Sequence, residues 1–251
     1  MMIQVDIFFA KNDLRNFSYI VTDKNSAECW VIDPYDDKIL SHYIKKNHLV
    51  LKGILNTHQH FDHIKGNKGL ESEFKCLINS HESEFQLSTN HTIQVLKSPG
   101  HTPDHLCFCL NENGRRTSLF SGDCLFNSGV GNCHGGGNVD ELFETIQKLK
   151  DMPDEVILYP GHDYVHKNLL FAQRWEPDNP SIKEALRYVE SIPTESGLNW
   201  TLGQERAVNP FLRLDSPEIR QNLSLLEKEC ENPFESERIV FKKLRSLRDQ
   251  W

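Results

Sequence analysis

The stretch Asn56-Thr57-His58-Gln59-His60-Phe61-Asp62-His63 decides the reading of this chain, because four metal-capable side chains fall within six residues. His58, His60 and Asp62 alternate at i, i+2 and i+4, so an extended segment would carry all three on one side. His63 breaks the alternation and must point elsewhere. A helical His-Glu-x-x-His site would need its two His at i and i+4, so this is a different kind of site. The local chemistry suggests two ligand sets, one for each of two neighbouring ions. Imidazole suits zinc, iron and nickel, and the carboxylate widens the choice to harder ions such as manganese. A lone His is usually structural or exposed; three with an Asp in so short a run are hard to explain as a solvated loop.

Working outward, the strand-like run Val50–Leu55 delivers this cluster, and three later runs end in a similar way. Ile93–Leu96 leads into Pro99-Gly100-His101, Thr117–Phe120 into Ser121-Gly122-Asp123, and Glu155–Tyr159 into Pro160-Gly161-His162. Each is a short β-type run, a Gly, then a metal-capable residue. Gly before the ligand lets the backbone turn sharply and approach closely. Four strand ends could thus deliver ligands to one edge of a sheet.

The remaining elements are simpler to read. Residues 2–9, 16–22 and 28–33 are expected strands, the last stopped by Pro34, and 36–48 has helical spacing. A helix is expected from Ile64 to Glu73, and a strand at Cys76–Ile78. Residues 111–116 form a polar hairpin loop. Ser128–Gly137 reads as a Gly-rich loop holding Asn132, Cys133 and His134, without the Lys-Ser/Thr ending of a phosphate loop. Val139–Lys150 is an amphipathic helix with Leu142, Phe143, Ile146 and Leu149 on one face. After about Tyr164 strand signals fade, and helices are expected at Lys167–Trp175, Ser181–Glu190, Ser216–Cys230 and Ser236–Trp251. This divides the chain into 1–165 and a small helical domain, 166–251.

The last helix carries two stripes. Val240, Leu244, Leu247 and Trp251 make an apolar one. Lys242, Arg245 and Arg248 make a basic one, in a segment of five Lys/Arg against three Asp/Glu within an acidic chain. A charge run is usually a solvated face; here it could also clamp the carboxylate of a substrate.

Composition bounds the partners. The 251 residues are 38% hydrophobic and 25% charged, ordinary for a soluble protein. A net charge of -8 argues against nucleic acid as a partner. The seven Cys are scattered, odd in number and form no Cys-x-x-Cys pair, which fits a reducing compartment. The N-terminus lacks a signal-peptide pattern, and no apolar run approaches the roughly 20 residues that span a membrane. A cytoplasmic monomer with no membrane partner is the expectation.

The Thr-His-x-His-x-Asp-His stretch with Gly-His101, Gly-Asp123 and Gly-His162 resembles the metallo-β-lactamase fold. Pro99-Gly100-His101-Thr102, Gly161-His162-Asp163-Tyr164 with Asn168, Asn209-Pro210-Phe211-Leu212-Arg213 and the ending Arg245–Trp251 extend the resemblance to glyoxalase II, the hydroxyacylglutathione hydrolases. That resemblance covers nearly the whole chain. It implies an α/β (α+β) fold, an αββα sandwich followed by a helical substrate-binding domain. It also implies two divalent ions, with zinc the first choice and iron or manganese as alternatives. His58, His60 and His101 would hold the first ion and Asp62, His63 and His162 the second, with Asp123 bridging. Tyr164, Arg245 and Arg248 match positions that contact glutathione. Where the family usually carries Lys and then Tyr for that purpose, this chain has Asn132 and His134, and Arg248 replaces a usual Lys.

The implied reaction is hydrolysis of S-D-lactoylglutathione, with Asp62 and Asp123 as catalytic carboxylates. A thioesterase acting on another thiol carrier and a mono-iron sulfur dioxygenase are the enzyme alternatives. A metal-dependent nuclease is disfavoured by the acidic charge. A non-catalytic metal or thiol carrier is disfavoured by a complete two-metal ligand set.

Overall fold

The computed structural model describes residues 3–79, 82–193, 197–226 and 236–251. In chain order the elements begin with strands β1 (Ile3–Phe9), β2 (Phe17–Asp23) and β3 (Glu28–Ile32), helix α1 (Asp37–Lys46) and strand β4 (Val50–Leu55). Helices α2 (Phe61–Ile64) and α3 (Asn67–Phe74) lead to β5 (Leu77–Asn79), β6 (Glu84–Ser88), β7 (His91–Lys97), β8 (Leu106–Glu112) and β9 (Arg115–Gly122). A small hairpin, β10 (Leu125–Phe126) and β11 (Gly129–Val130), precedes α4 (Val139–Lys150) and β12 (Ile157–Pro160). Helices α5 (Val165–Trp175), α6 (Pro180–Ser191), α7 (Leu202–Val208), α8 (Pro217–Ser224) and α9 (Glu237–Asp249) complete the chain. The expected end of the helix at Cys230 lies outside the described residues.

Two five-stranded sheets form the centre, ordered β1-β2-β3-β4-β5 and β12-β9-β8-β7-β6. Alternating side chains give each sheet two apolar faces. In β4, Ile54 joins Leu40, Ile44 and Leu70 under α1 and α3, while Leu55 faces between the sheets. In β9, Phe120 joins Tyr19, Ile32 and Phe108 between the sheets, while Leu119 packs with Leu142 and Ile146 of α4. These three clusters produce helix, sheet, sheet, helix: the αββα sandwich. Local signals start the helices where the chain needs them. Asp36 caps α1, Asn138 caps α4, and Thr201 with Gln204 forms a capping box on α7.

The helices after residue 165 share a core with the sandwich. Phe211, Val240, Phe241 and Leu244 lie in the same cluster as α4, and burying a side chain of this size contributes roughly 1.5–3 kcal/mol. A second cluster, with Leu169, Ile182, Leu186, Trp200 and Val208, joins α5, α6 and α7. Among the described residues no helix is long and apolar enough to cross a membrane.

Topology places the working ends together. Strands β3 and β4 run parallel. β7 and β9 both run antiparallel to β8, and β12 runs parallel to β9. The C-terminal ends of β7, β9 and β12 therefore share one edge of their sheet. The expectation of a single sheet needs amending, because β4 belongs to the other sheet and the ligand candidates converge from both. The expected Gly-rich loop also begins with structure: Gly129 and Val130 form β11.

Candidate metal centre

Two groups of metal-capable side chains meet at that edge: His58, His60, His101 and Asp123, and beside them Asp62, His63 and His162. Within each group the ligand atoms lie within 4.8 Å of one another. In the first, His60 Nδ1 is 2.9 Å from His58 Nε2 and 3.1 Å from His101 Nε2. In the second, His63 Nε2 and His162 Nε2 are 3.2 Å apart, and each is 3.5 Å from Asp62 Oδ2. Asp123 stands between the groups: its Oδ2 is 3.6 Å from His101 Nε2 and 3.2 Å from His162 Nε2.

The simple alternation expected for His58, His60 and Asp62 does not hold. The chain is extended only to His60, which occupies the N-cap of α2. The helix begins at Phe61, so Asp62 turns away from the two His and joins His63.

Hydrogen bonds orient the rings, a task sequence reasoning did not assign to any residue. Asp33, at the end of β3, accepts from His63 Nδ1 at 2.9 Å, from Thr57 N at 2.7 Å and from Thr57 Oγ1 at 2.6 Å. His101 Nδ1 donates to the Asn132 carbonyl and His162 Nδ1 to the Leu14 carbonyl, both at 2.7 Å. Asn16 Nδ2 holds Asp62 Oδ2 at 2.8 Å. His105 accepts from Asp123 N at 3.2 Å while its Nδ1 faces Ser98 Oγ at 2.8 Å. Such partners fix which ring nitrogen is presented inward. The one available sequence signal was Ile32-Asp33-Pro34, another acid placed directly after a strand.

Glycine is required where the backbones close on this centre. A Cβ on Gly161 would collide with Asp123 Oδ1 and come within 2.8 Å of His63 Cε1. Gly122 has a φ of +48, and a Cβ there would strike Thr57 Oγ1.

The electrostatics match a cation site. Burial pushes the His58 imidazole far below its usual range, and His101 down to about 4. Burial opposes charge on Asp123, but His162 and His63 hold its carboxyl well below the usual carboxylate range. Burial likewise opposes a proton on His63, and Asp123 and Asp33 outweigh it. Asp123 Oδ1 is buried without a hydrogen-bond donor among the described residues, a cost that a cation relieves. The donor set, imidazole and carboxylate without thiolate, suits zinc, iron or manganese. The cluster is able to hold metal ions.

The expected substrate contacts are arranged unevenly. Tyr164 stacks on His162 with ring centroids 4.9 Å apart. Burial raises the Tyr164 phenol, Asp123 and Asp62 add to this, and Arg248 partly offsets it. Arg248 is half-buried and gives Nε and Nη2 to Asn168 Oδ1, at 3.3 and 3.0 Å. Arg245, expected to share an anion with it, is buried. It donates Nη1 to the Val130 and Gly131 carbonyls at 2.8 and 3.2 Å, and Nη2 to Asp249 at 2.8 Å. Asn132 Oδ1 accepts from its neighbour His134 N at 3.0 Å. The His134 side chain is 72% exposed, 3.4 Å from Asp249.

Comparison with known proteins agrees with this geometry. Residues 163–251 match the hydroxyacylglutathione hydrolase C-terminus model, and residues 15–93 match the metallo-beta-lactamase superfamily. A hydroxyacylglutathione hydrolase of Polaromonas sp. (strain JS666) is 35% identical, covering 98% of this chain and 99% of the relative. That of Nitrosococcus oceani is 32% identical over the same shares. A metallo-beta-lactamase from Staphylococcus aureus subsp. aureus COL has a similar fold, with a TM-score of 0.63 and 19% identity over 98% of this chain and 71% of that one.

Proposed function

The chain belongs to the hydroxyacylglutathione hydrolase family, and we propose that it hydrolyses S-D-lactoylglutathione to D-lactate and glutathione, the thioester step of methylglyoxal detoxification. The observation that carries this reading is one arrangement: two adjacent ligand groups under a family match that runs the length of the chain.

We assign His58, His60 and His101 to one divalent ion, Asp62, His63 and His162 to a second, and Asp123 to both. Zinc is the proposed ion, with iron or manganese compatible with the same donors. Two ions so held would supply Lewis acidity and a water acidified from 15.7 toward roughly 7. The chain's own residues do the rest. Asp33 and the Asn132 and Leu14 carbonyls keep the imidazoles in register. Asn16 holds Asp62 so that its carboxylate can orient the attacking water. Water oxygen joins the acyl carbon as its proton is released to solvent, the C–S bond breaks, and the sulfur leaves as a thiolate whose low basicity asks for little acid assistance.

We place catalysis in residues 1–165 and recognition of the thiol carrier in 166–251, with Tyr164 and Arg248 at the mouth. Asn132 and His134 stand where the family carries Lys and Tyr, so a different thiol carrier is the second reading. A mono-iron dioxygenase is less suited, because Asp62, His63 and His162 form a complete second group. Loss of thioester absorbance should be followed for S-D-lactoylglutathione and for the same acyl group on other thiols, with metal analysis of the same sample. Turnover of the glutathione thioester by protein holding two ions is expected. Turnover confined to another carrier, or oxygen-dependent chemistry with a single iron, would replace the reading.

A further inference from the structure

We infer that Glu205 and Asn209, which touch none of the proposed metal ligands in the interactions described above, are positioning residues for the metal centre. They act through the hairpin β10–β11, and the inference rests on the metal reading above. The hairpin starts just after Asp123 and ends just before Asn132, whose carbonyl orients His101. Its Phe126 ring meets His162 and Tyr164, with centroids 5.9 and 5.3 Å away. Movement of the hairpin therefore reaches both ligand groups.

The hairpin cannot hold itself. Its ladder has two residue pairs, Leu125 with Val130 and Phe126 with Gly129, and Ser128 at its turn has a φ of +58. Short isolated hairpins are marginal in water. The helical segment supplies what is missing. Glu205, fully buried on α7, accepts from Asn127 Nδ2 at 2.8 Å and from Ser128 N at 2.7 Å. Asn209 Nδ2 lies 3.3 Å from the Phe126 carbonyl and 3.2 Å from that of Gly129, and its Oδ1 accepts from Phe211 N. Asn168 takes the Asn127 carbonyl, and Arg245 those of Val130 and Gly131. A buried carboxylate needs partners; Glu205 finds them on the turn that must be held. The helical segment is thus a clasp for the metal centre as well as a flank of the substrate site.

Zinc affinity of full-length protein, stripped and titrated against a chromophoric chelator, tests this without reference to turnover. Glu205→Ala and Asn209→Ala should each weaken zinc binding about tenfold or more, the scale seen when ligand-orienting partners are lost. Leu186→Ala, which opens the cluster joining α5, α6 and α7 but removes none of the hydrogen-bonding groups of the clasp, should lower the melting temperature but keep zinc affinity within about twofold. If Glu205→Ala does not fold, Glu205→Gln takes its place, since it keeps the volume but turns one acceptor into a donor. Wild-type affinity in the Glu205 and Asn209 variants, or an equal loss in Leu186→Ala, would overturn the inference alone. Wild-type protein that takes up neither zinc nor iron nor manganese would overturn the metal reading and this inference with it.

Discussion

His63 Nδ1 donates to Asp33 Oδ2 at 2.9 Å, and Asp33 holds a left-handed φ of +48 at the end of β3. The carboxylate accepts only, so His63 must carry its proton on Nδ1 and present Nε2 to the centre. The same carboxylate takes both the N–H and the hydroxyl of Thr57, so it ties the His58–His63 run to the neighbouring strand.

Asp33→Asn should therefore lose one ion selectively. Asn tolerates the left-handed backbone and keeps one acceptor, but its amide presents a donor where His63 or Thr57 also donates. Affinity for the ion at Asp62, His63 and His162 should fall about 10–100-fold, and less at the first site, which Asp33 reaches only through Thr57 Oγ1, 3.0 Å from His58 Nδ1. Metal titration that resolves the two sites checks this; equal loss at both would remove Asp33 from a selective role.

Gly161 gives a steric test of the same centre. In Gly161→Ala the added methyl would occupy the space of Asp123 Oδ1 and press on His63. The chain should fold, because the clash falls at the edge of the sandwich and not in its core. It should hold less than one ion at the second group and lose most of its activity. Full metal content would show that the edge can yield.

Glu205 also predicts how stability varies with pH. Burial pushes its carboxyl up from 4.5 to about 7, although Asn127, Ser128 and Asn209 favour the charged form. Between those values the folded chain holds a proton that the unfolded chain has released. Stability from this group is thus greatest below about 4.5 and declines as pH rises toward 7, by on the order of 3 kcal/mol in total. Chemical denaturation of wild type and Glu205→Gln at equal metal load, from pH 5 to 8, isolates the contribution. The wild-type advantage should shrink with rising pH; parallel profiles would mean that Glu205 does not titrate in this range.

Much of this was legible in the sequence for physical reasons. The His58–His63 run and the strand–Gly–ligand ends are local patterns, and the adjacent apolar pairs Ile54-Leu55 and Leu119-Phe120 suit strands buried on both faces. What escaped depends on distant partners. Asp33 read as a strand stopped by Pro34, since its role exists only once Thr57 and His63 are folded beside it. The hairpin β10–β11 is too short for a periodic signal, and its flanking glycines read as loop. Helix α7 spans only Leu202–Val208 and contains Gly203, which weakens any helical pattern. The three-residue spacing of Arg245 and Arg248 suggested a shared anion, but spacing alone does not say which guanidinium is already committed.

That commitment separates the two arginines kinetically. Arg245 has Nη1 and Nη2 engaged on the hairpin carbonyls and Asp249. Arg248 gives only Nε and Nη2, to Asn168, and keeps Nη1 without a hydrogen bond among the described residues. A carboxylate remote from the thioester is bound equally in ground and transition states, so removing its partner raises KM and leaves kcat nearly unchanged. A charge-assisted hydrogen bond is worth roughly 1.5–3 kcal/mol, so Arg248→Ala should raise KM about tenfold or more. Arg245→Ala instead frees the Val130 and Gly131 carbonyls beside Asn132, whose carbonyl orients His101. It should lower kcat and metal retention with little change in KM. Arg245→Lys should not restore them, because an ammonium cannot reproduce the planar fork that reaches two carbonyls and Asp249 together. Steady-state kinetics with metal analysis of the three variants decides the matter. A rise in KM alone for Arg245→Ala would return that residue to the anion clamp that its spacing suggests.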